Sequence, residues 1–417
     1  MMRVEKLRGL VLPHRALGYL VMAAILAAPW VDRSLAAGLA LSYVWASLAL
    51  SYNILLGFAG VASFGHAVPF GVAAFLTAYM LKAGVPYLVV IPVAGIVAGA
   101  IYTVMGLPAY RVRGIYYAIL TLAIAEALRS TIESTARTTV ALTVGSIAEL
   151  ESLAGLYIYL ALFLLLVALA LASAAQDVKS TRRKRARFLK AVVYAVFLAG
   201  LAAAGYRMLF SSAEFLAGVS AGMPRVRVMR FLYPLNAYLL SAVALAACYI
   251  AIKRLAESPL GTTLVAIREN PVRASVLGYN VFAHQLAAFF ASGFFGGIAG
   301  SVYVASIPTV MTDVFGSDKT FLALTGAIIG GLGTLVGPAV GGIVAGVLRD
   351  YLSSLTPALL SVSGLTPQQA QLIPSFVLGV IYIAVVLAMP YGVWGTWLLR
   401  GWKLKRKLEN LLGFGAS

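Results

Sequence analysis

Apolar stretches long enough to cross a membrane recur along the chain, at about 17 to 31, 35 to 56, 60 to 81, 86 to 107, 114 to 131, 153 to 175, 189 to 210, 231 to 252, 282 to 306, 319 to 333, 337 to 355 and 372 to 390. A hydrocarbon core of roughly 30 Å takes about 20 mainly apolar helical residues to span. The pattern therefore predicts an all-α, polytopic helical bundle of about 12 spans. The tenth and eleventh runs are interrupted by Gly330, Gly331, Gly333, Gly337 and Pro338. Composition agrees: 61% of the 417 residues are apolar and 11% charged, with a mean hydropathy of +0.93. No water-soluble domain of this length normally has such a balance.

The net charge of +18 would suggest a nucleic-acid partner in a soluble protein. Here the basic residues fall between apolar runs, where they act as topology signals, and nucleic-acid binding is not expected. With a cytoplasmic N-terminus, alternation puts the basic stretches 179–190, 253–273 and 400–407 inside, and an even helix count returns the C-terminus there too. Arg225, Arg227 and Arg230 go against the rule. The tract from Arg182 to Arg185 reads as a topological anchor or anionic-lipid contact. Trp30, Trp394, Trp397 and Trp402 read as interfacial anchors. The basic N-terminal stretch (Arg3, Lys6, Arg8, Arg15) leads into an apolar run with no clear cleavage site, so a retained first helix is expected rather than a signal peptide. Cys248 is the single cysteine, which excludes an intrachain disulfide and a cysteine-rich metal cluster. No linker separates domains, so 1–417 reads as one membrane domain.

No phosphate loop, His-Glu-x-x-His motif or set of paired acids is present, and no metal or cofactor site is expected. Active transport would then draw either on an ion gradient through buried acids or on a separate ATPase. The stretch SPLGTTLVAIRENPVRASVLGYN (258–280) is polar yet keeps helical apolar spacing between two long apolar runs. It predicts either an ordinary surface loop or a short amphipathic cytoplasmic helix, with Arg268, Glu269 and Asn270 open to a partner and Gly278 allowing the turn into the next span.

This stretch, with LAAFFASGFFGGIAG (286–300), resembles the coupling loop and following helix of branched-chain amino acid permeases of the ABC importer class. SYNILLGFAGVASFGH (51–66), YYAILTLAIAEALR (116–129) and GGLGTLVGP (330–338) resemble that family in the same order. The likeness covers roughly residues 35 to 145 and 217 to 390. It departs where the family shows Thr-Gly-Gly: this chain has Thr143-Val-Gly-Ser146, and a second such loop, Ala217 to Pro224, comes much later. The expected arrangement is a ten-helix core with an inserted hairpin over 153–210.

The resemblance implies an importer permease in the cytoplasmic membrane that moves branched-chain amino acids, or related solutes such as urea or short amides. It also implies ATPase-coupling contacts at Arg268, Glu269, Asn270, Ala274 and Gly278. The implied partners are two cytoplasmic ATP-binding subunits using ATP and Mg, a second permease subunit (related or a copy), and an external solute-binding protein. This chain itself would be neither an enzyme nor the holder of a cofactor.

Among polar residues at membrane depth, Asn53, Ser63 and His66 surround a run broken by Gly57, Gly60, Gly65 and Pro69. Either they lie on a broken helix in the translocation path, or the glycines only permit close packing and His66 is a satisfied interior donor. An acid such as Glu126 in an apolar run costs about 2.5 to 3.5 kcal/mol on insertion scales and is expected to face the bundle interior. Arg129, three residues on, is its expected partner. Thr121 on the same run is a further path candidate. The competing reading is a gradient-driven secondary transporter with Glu126 as the coupling acid; a membrane enzyme acting on lipid is disfavoured by the lack of clustered acids and histidines.

Overall fold

The computed structural model describes residues 35–112, 114–135, 139–141, 158, 161–162, 225–307, 309–354, 367–388 and 392. The runs expected at 17 to 31 and 189 to 210, most of 153 to 175 and the loops at 143–146 and 217–224 lie outside them, and so do the four tryptophans above. The helices in chain order are α1 (Leu35–Asn53), α2 (Ala67–Lys82), α3 (Tyr87–Gly106), α4 (Ile115–Thr135), α5 (Arg225–Glu257), α6 (Pro259–Glu269), α7 (Pro271–Val276), α8 (Val281–Ser306), α9 (Ser317–Gly330), α10 (Val336–Ser354) and α11 (Pro367–Ala388). Among the described residues five helical segments are long and apolar enough to span a membrane: Gly38–Phe58, Tyr87–Ala109, Ile115–Ser134, Pro234–Glu257 and Val281–Ser306. The chain is a polytopic helical membrane protein.

By its contacts the chain divides into two compact units, residues 1–37 with 150–243, and 38–149 with 244–417. The packing and the site described below are those of the second. There α8 is the central helix, flanked by α2 and α3. Small residues let the backbones close up, the usual means of association where lipid supplies no hydrophobic drive. Gly293 and Gly297 of α8 lie against Gly99 and Gly95 of α3, with a methyl group at either position 3.0 to 3.1 Å from the opposing Cα. Gly326, Gly330, Gly337 and Gly341 bring α9 and α10 together, and Gly342 and Gly346 seat α10 on Ala46 and Ser42 of α1. A short antiparallel ladder pairs Thr139–Ala141 with Thr309–Met311. Cys248 is buried and unbonded.

Two expectations are corrected. The apolar run at 60 to 81 is not helical throughout. α1 widens into a π turn over Ile54–Phe58, residues 59–66 run without regular helix, and α2 begins only at Ala67. Gly60, with φ +70°, turns the chain out of the helix. Bare backbone at membrane depth is tolerated only inside protein or against a cavity. Pro69 falls in the first turn of α2, where its missing N–H costs nothing.

The amphipathic stretch 258–280 is two helices, not one. Asn270, preceding Pro271, is held extended (φ −158°, ψ 98°), which ends α6. Its side-chain oxygen then accepts from the Arg273 N–H at 2.8 Å to start α7. Ser258 and Asn280 cap α6 and α8 in the same way, at 3.3 and 3.0 Å. Gly278, at φ +89°, makes the turn into α8.

Candidate functional site

The two glycine-interrupted regions meet. Asn53, the last residue of α1, is fully buried; its amide donates to the Thr334 carbonyl at 2.8 Å and its oxygen accepts from the Gly333 N–H at 2.9 Å. Gly331 (φ +114°) and Gly333 (φ +76°) give the turn between α9 and α10 its left-handed backbone. One asparagine thus joins the end of the first broken region to the turn of the second. Both neighbouring helices are short, 16 residues in α2 and 14 in α9. Paired short, glycine-interrupted segments that meet inside a bundle are a recurrent way to build a transport site.

Behind this junction the non-helical stretch is pinned by side chains. The Phe64 N–H donates to Thr121 Oγ1 at 3.0 Å, and the Ala67 N–H to Thr320 Oγ1 at 2.8 Å. His66 is fully buried, with Nε2 2.8 Å from Ser51 Oγ and Nδ1 3.2 Å from the Tyr102 hydroxyl, which donates to Ser63 Oγ at 2.9 Å. The Tyr52 and Tyr102 rings meet the imidazole edge-on, with centroids 5.1 and 5.4 Å away. Gly65 has no room for a methyl group, which would lie 2.8 Å from the Thr121 carbonyl. Ser63, His66 and Thr121 are therefore mutually engaged, and their first chemical task is to satisfy an irregular backbone. Tyr102→Phe, which leaves Ser63 and His66 short of a partner, should lower stability by about 1 to 3 kcal/mol. A thermal denaturation midpoint in detergent equal to wild type would show that this network is not what holds the segment.

Glu126 is not in the bundle interior, as its sequence setting predicted; its side chain is 50% exposed. Arg129 compensates it at 2.7 Å and also reaches Glu133 at 3.4 Å, so the acid is charge-paired along the face of α4. Glu133 accepts from Thr312 at 3.3 Å. A second charged group gathers near the start of α9. Lys319, only 5% exposed, reaches Asp318 at 2.7 Å and Asp313 at 3.4 Å, while Arg349 lies 3.6 Å from Asp318 and 5.5 Å over the Trp45 ring. Lys319 and Thr320 escaped sequence reasoning because nothing in a one-dimensional pattern marks a polar residue in the first turn of a short helix as buried.

The stretch 258–280 also differs from its sequence reading in what it presents. Arg268 is turned inward: its Nη1 donates to the Gly57 carbonyl, and its other edge is held by Glu269 at 2.6 Å. Asn270 is occupied as a helix cap, and Ala274 is buried. Beside the exposed Glu269, Asn270 and Arg273 lies an apolar patch, with Val272 at 65%, Val276 at 82% and Leu277 at 70%, and Tyr279 next to them.

Comparison with known proteins bears on these features. The family described as branched-chain amino acid transport system / permease component matches residues 34–389. The high-affinity branched-chain amino acid transport system permease protein LivM of Escherichia coli is 25% identical over 352 residues, 83% of this chain and 71% of that protein. The guanosine ABC transporter permease protein NupQ of Bacillus subtilis is 28% identical over 109 residues, 26% of this chain and 34% of that protein. The nucleoside ABC transporter permease protein NupC of Lactococcus lactis is 26% identical over 155 residues, 37% of this chain and 45% of that protein. The chain thus spans about a third to a half of the length of these last two relatives. No solved structure matches.

Proposed function

We propose, because this chain belongs to the family of permease components of branched-chain amino acid transport systems, that it is the membrane subunit of an ATP-driven importer in the cytoplasmic membrane. Its solute is a branched-chain amino acid or a similar small molecule. Separate ATP-binding subunits hydrolyse ATP with Mg, a second permease subunit completes the path, and an external binding protein delivers solute.

The observation that carries this reading is the apolar knob of α7. Val272, Val276 and Leu277 stand exposed on a short capped helix between two long spans, α5 and α8. Apolar side chains exposed outside a spanning segment, beside the charged Glu269 and Arg273, suit a protein socket rather than water. On this reading α7 sits in the ATPase and α6 carries the motion inward. Both termini would then be cytoplasmic. The path candidates Asn53, Ser63, His66 and Thr121 line or support the route where the broken helices meet.

A second solute class, nucleosides, is favoured by the relatives from Bacillus subtilis and Lactococcus lactis. Uptake into proteoliposomes containing the chain and its co-encoded subunits, with leucine, isoleucine, valine, guanosine, urea and short amides, decides between them. ATP-dependent uptake of the branched-chain set supports the reading in full, guanosine uptake moves the solute, and uptake without ATP overturns the class. Glu126→Gln should keep ATP-driven uptake within about twofold of wild type, because an exposed acid paired on its own helix makes at most a small contribution. Abolished uptake in that variant would restore Glu126 as a coupling acid.

A further inference from the structure

Arg268 joins three segments that are far apart in sequence. Its Nη1 donates to the carbonyl of Gly57, inside the π turn that ends the straight part of α1. Its Cβ and Cγ lie against Gly60, where any side chain would collide with them. The same nitrogen borders Gly333, where a methyl group would come within 3.1 Å of it. Gly333 is in turn held by Asn53, one helical turn before Gly57. Glu269 occupies Nε and Nη2, at 3.2 and 2.6 Å, which fixes the plane of the guanidinium.

The chemistry of the contact is specific. A π turn shifts the hydrogen-bond register, and here Ala59 N–H returns to the Ile54 carbonyl and Val61 N–H to that of Leu55. The Gly57 carbonyl receives a charged donor from another helix instead. A charge-assisted bond of this kind is stronger than a neutral one, yet it is made at the half-exposed edge of the protein and so can be broken by movement of α6. The glycines at 60 and 333 clear the space in which the arginine side chain lies.

We propose that Arg268 is a latch: in the state seen here it ties the α6 end of the coupling segment to both broken helices and keeps the α6 end of the solute route shut, and displacement of α6 by the ATPases releases it. This rests on the importer reading above and gives Arg268 an inward role, as a positioning residue, in place of the partner contact expected from sequence. Arg268→Lys retains one charged donor for the carbonyl but loses the forked contact with Glu269. Arg268→Gln retains neither the charge nor the fork. Glu269→Gln leaves the arginine in place and loosens its orientation.

The test uses the complete transporter in proteoliposomes preloaded with the solute that wild type accumulates. Release is followed without ATP, alongside ATP hydrolysis with and without binding protein. Arg268→Gln should release solute without ATP at roughly ten times the wild-type rate, the shift expected for one lost charge-assisted bond. Its hydrolysis should become independent of binding protein. Arg268→Lys and Glu269→Gln should fall between Arg268→Gln and wild type. Should Arg268→Gln fail to assemble, Glu269→Gln still tests the latch by the same release assay. Tight vesicles with normally stimulated hydrolysis in the assembled variants would overturn it. Absence of ATP-driven uptake by wild type would instead remove the importer reading, a separate result.

Discussion

Val276→Asp combined with Leu277→Asp is expected to abolish ATP-driven uptake while the chain still inserts and folds. Both side chains are largely exposed, so the aspartates disturb little within this chain. In the assembled transporter they would put two carboxylates into what the apolar surface predicts is an apolar socket. Central interface residues typically contribute about 2 kcal/mol or more each, so the ATPase should bind at least 100-fold more weakly. Co-purification of the ATP-binding subunits, read beside uptake, checks this; retained binding and uptake would move the docking surface elsewhere. Two further substitutions separate docking from transmission. Glu269→Arg removes the anion that orients Arg268 and adds a like charge beside it. A β-carbon at Gly278 would meet no neighbour within 4 Å, but Gly278→Trp forces a bulky residue into a left-handed turn. Both should stop uptake while the chain remains in the membrane.

Gly341→Leu should prevent the protein from reaching a folded, monodisperse state. A β-carbon at Gly341 would overlap the Gly326 carbonyl and lie 2.6 Å from the Gly330 nitrogen. These are main-chain atoms of α9, which cannot rotate away as a side chain can. Overpacking of an ordinary core costs about 1 to 3 kcal/mol. Here the whole helix must shift, and with it the turn that Asn53 grips, so the cost should exceed that range. Size-exclusion chromatography in mild detergent, compared with Gly379→Leu, is the measurement. Gly379 has nothing within 4 Å of its added carbon and should tolerate the change. Equal behaviour of the two variants would mean that the close approach of α9 and α10 is not required.

The spans were legible because lipid imposes one rule on every residue in a helix, and hydropathy reads that rule directly. α3 and α8 fall within about a residue of the runs expected for them. A break near Gly57, Gly60 and Gly65 was one of the two readings of that run, but its extent was not legible: the chain leaves regular helix over 59–66 and resumes only at Ala67. Nothing in the sequence signalled that the two glycine regions touch; Asn53 bridges them across 280 positions of sequence.

At the coupling stretch, polarity told which residues were hydrophilic but not which way they faced. Arg268 was read as open to a partner, yet from a half-exposed position its guanidinium reaches the Gly57 carbonyl, a contact no pattern could announce. Val276 and Leu277, which the sequence did not single out, stand exposed. Glu126 was placed inside on the cost of an acid in lipid; the pairing with Arg129 was correctly anticipated, its exposed position was not.

The stretch 59–66 has a mechanical consequence. A continuous helix carries torque: turn one end and the other follows. A stretch without that ladder passes torque only through its side-chain contacts, here Ser51 with His66 and Tyr52 against the imidazole, so α1 and α2 are joined less stiffly than two ends of one helix. α2 takes its bearing from elsewhere, through Thr320 at its first N–H and the close fit of Gly300 against Phe70. A twist applied at Gly57 therefore reaches α2 through a few side-chain contacts, like a universal joint with a soft spring, rather than along a helical backbone.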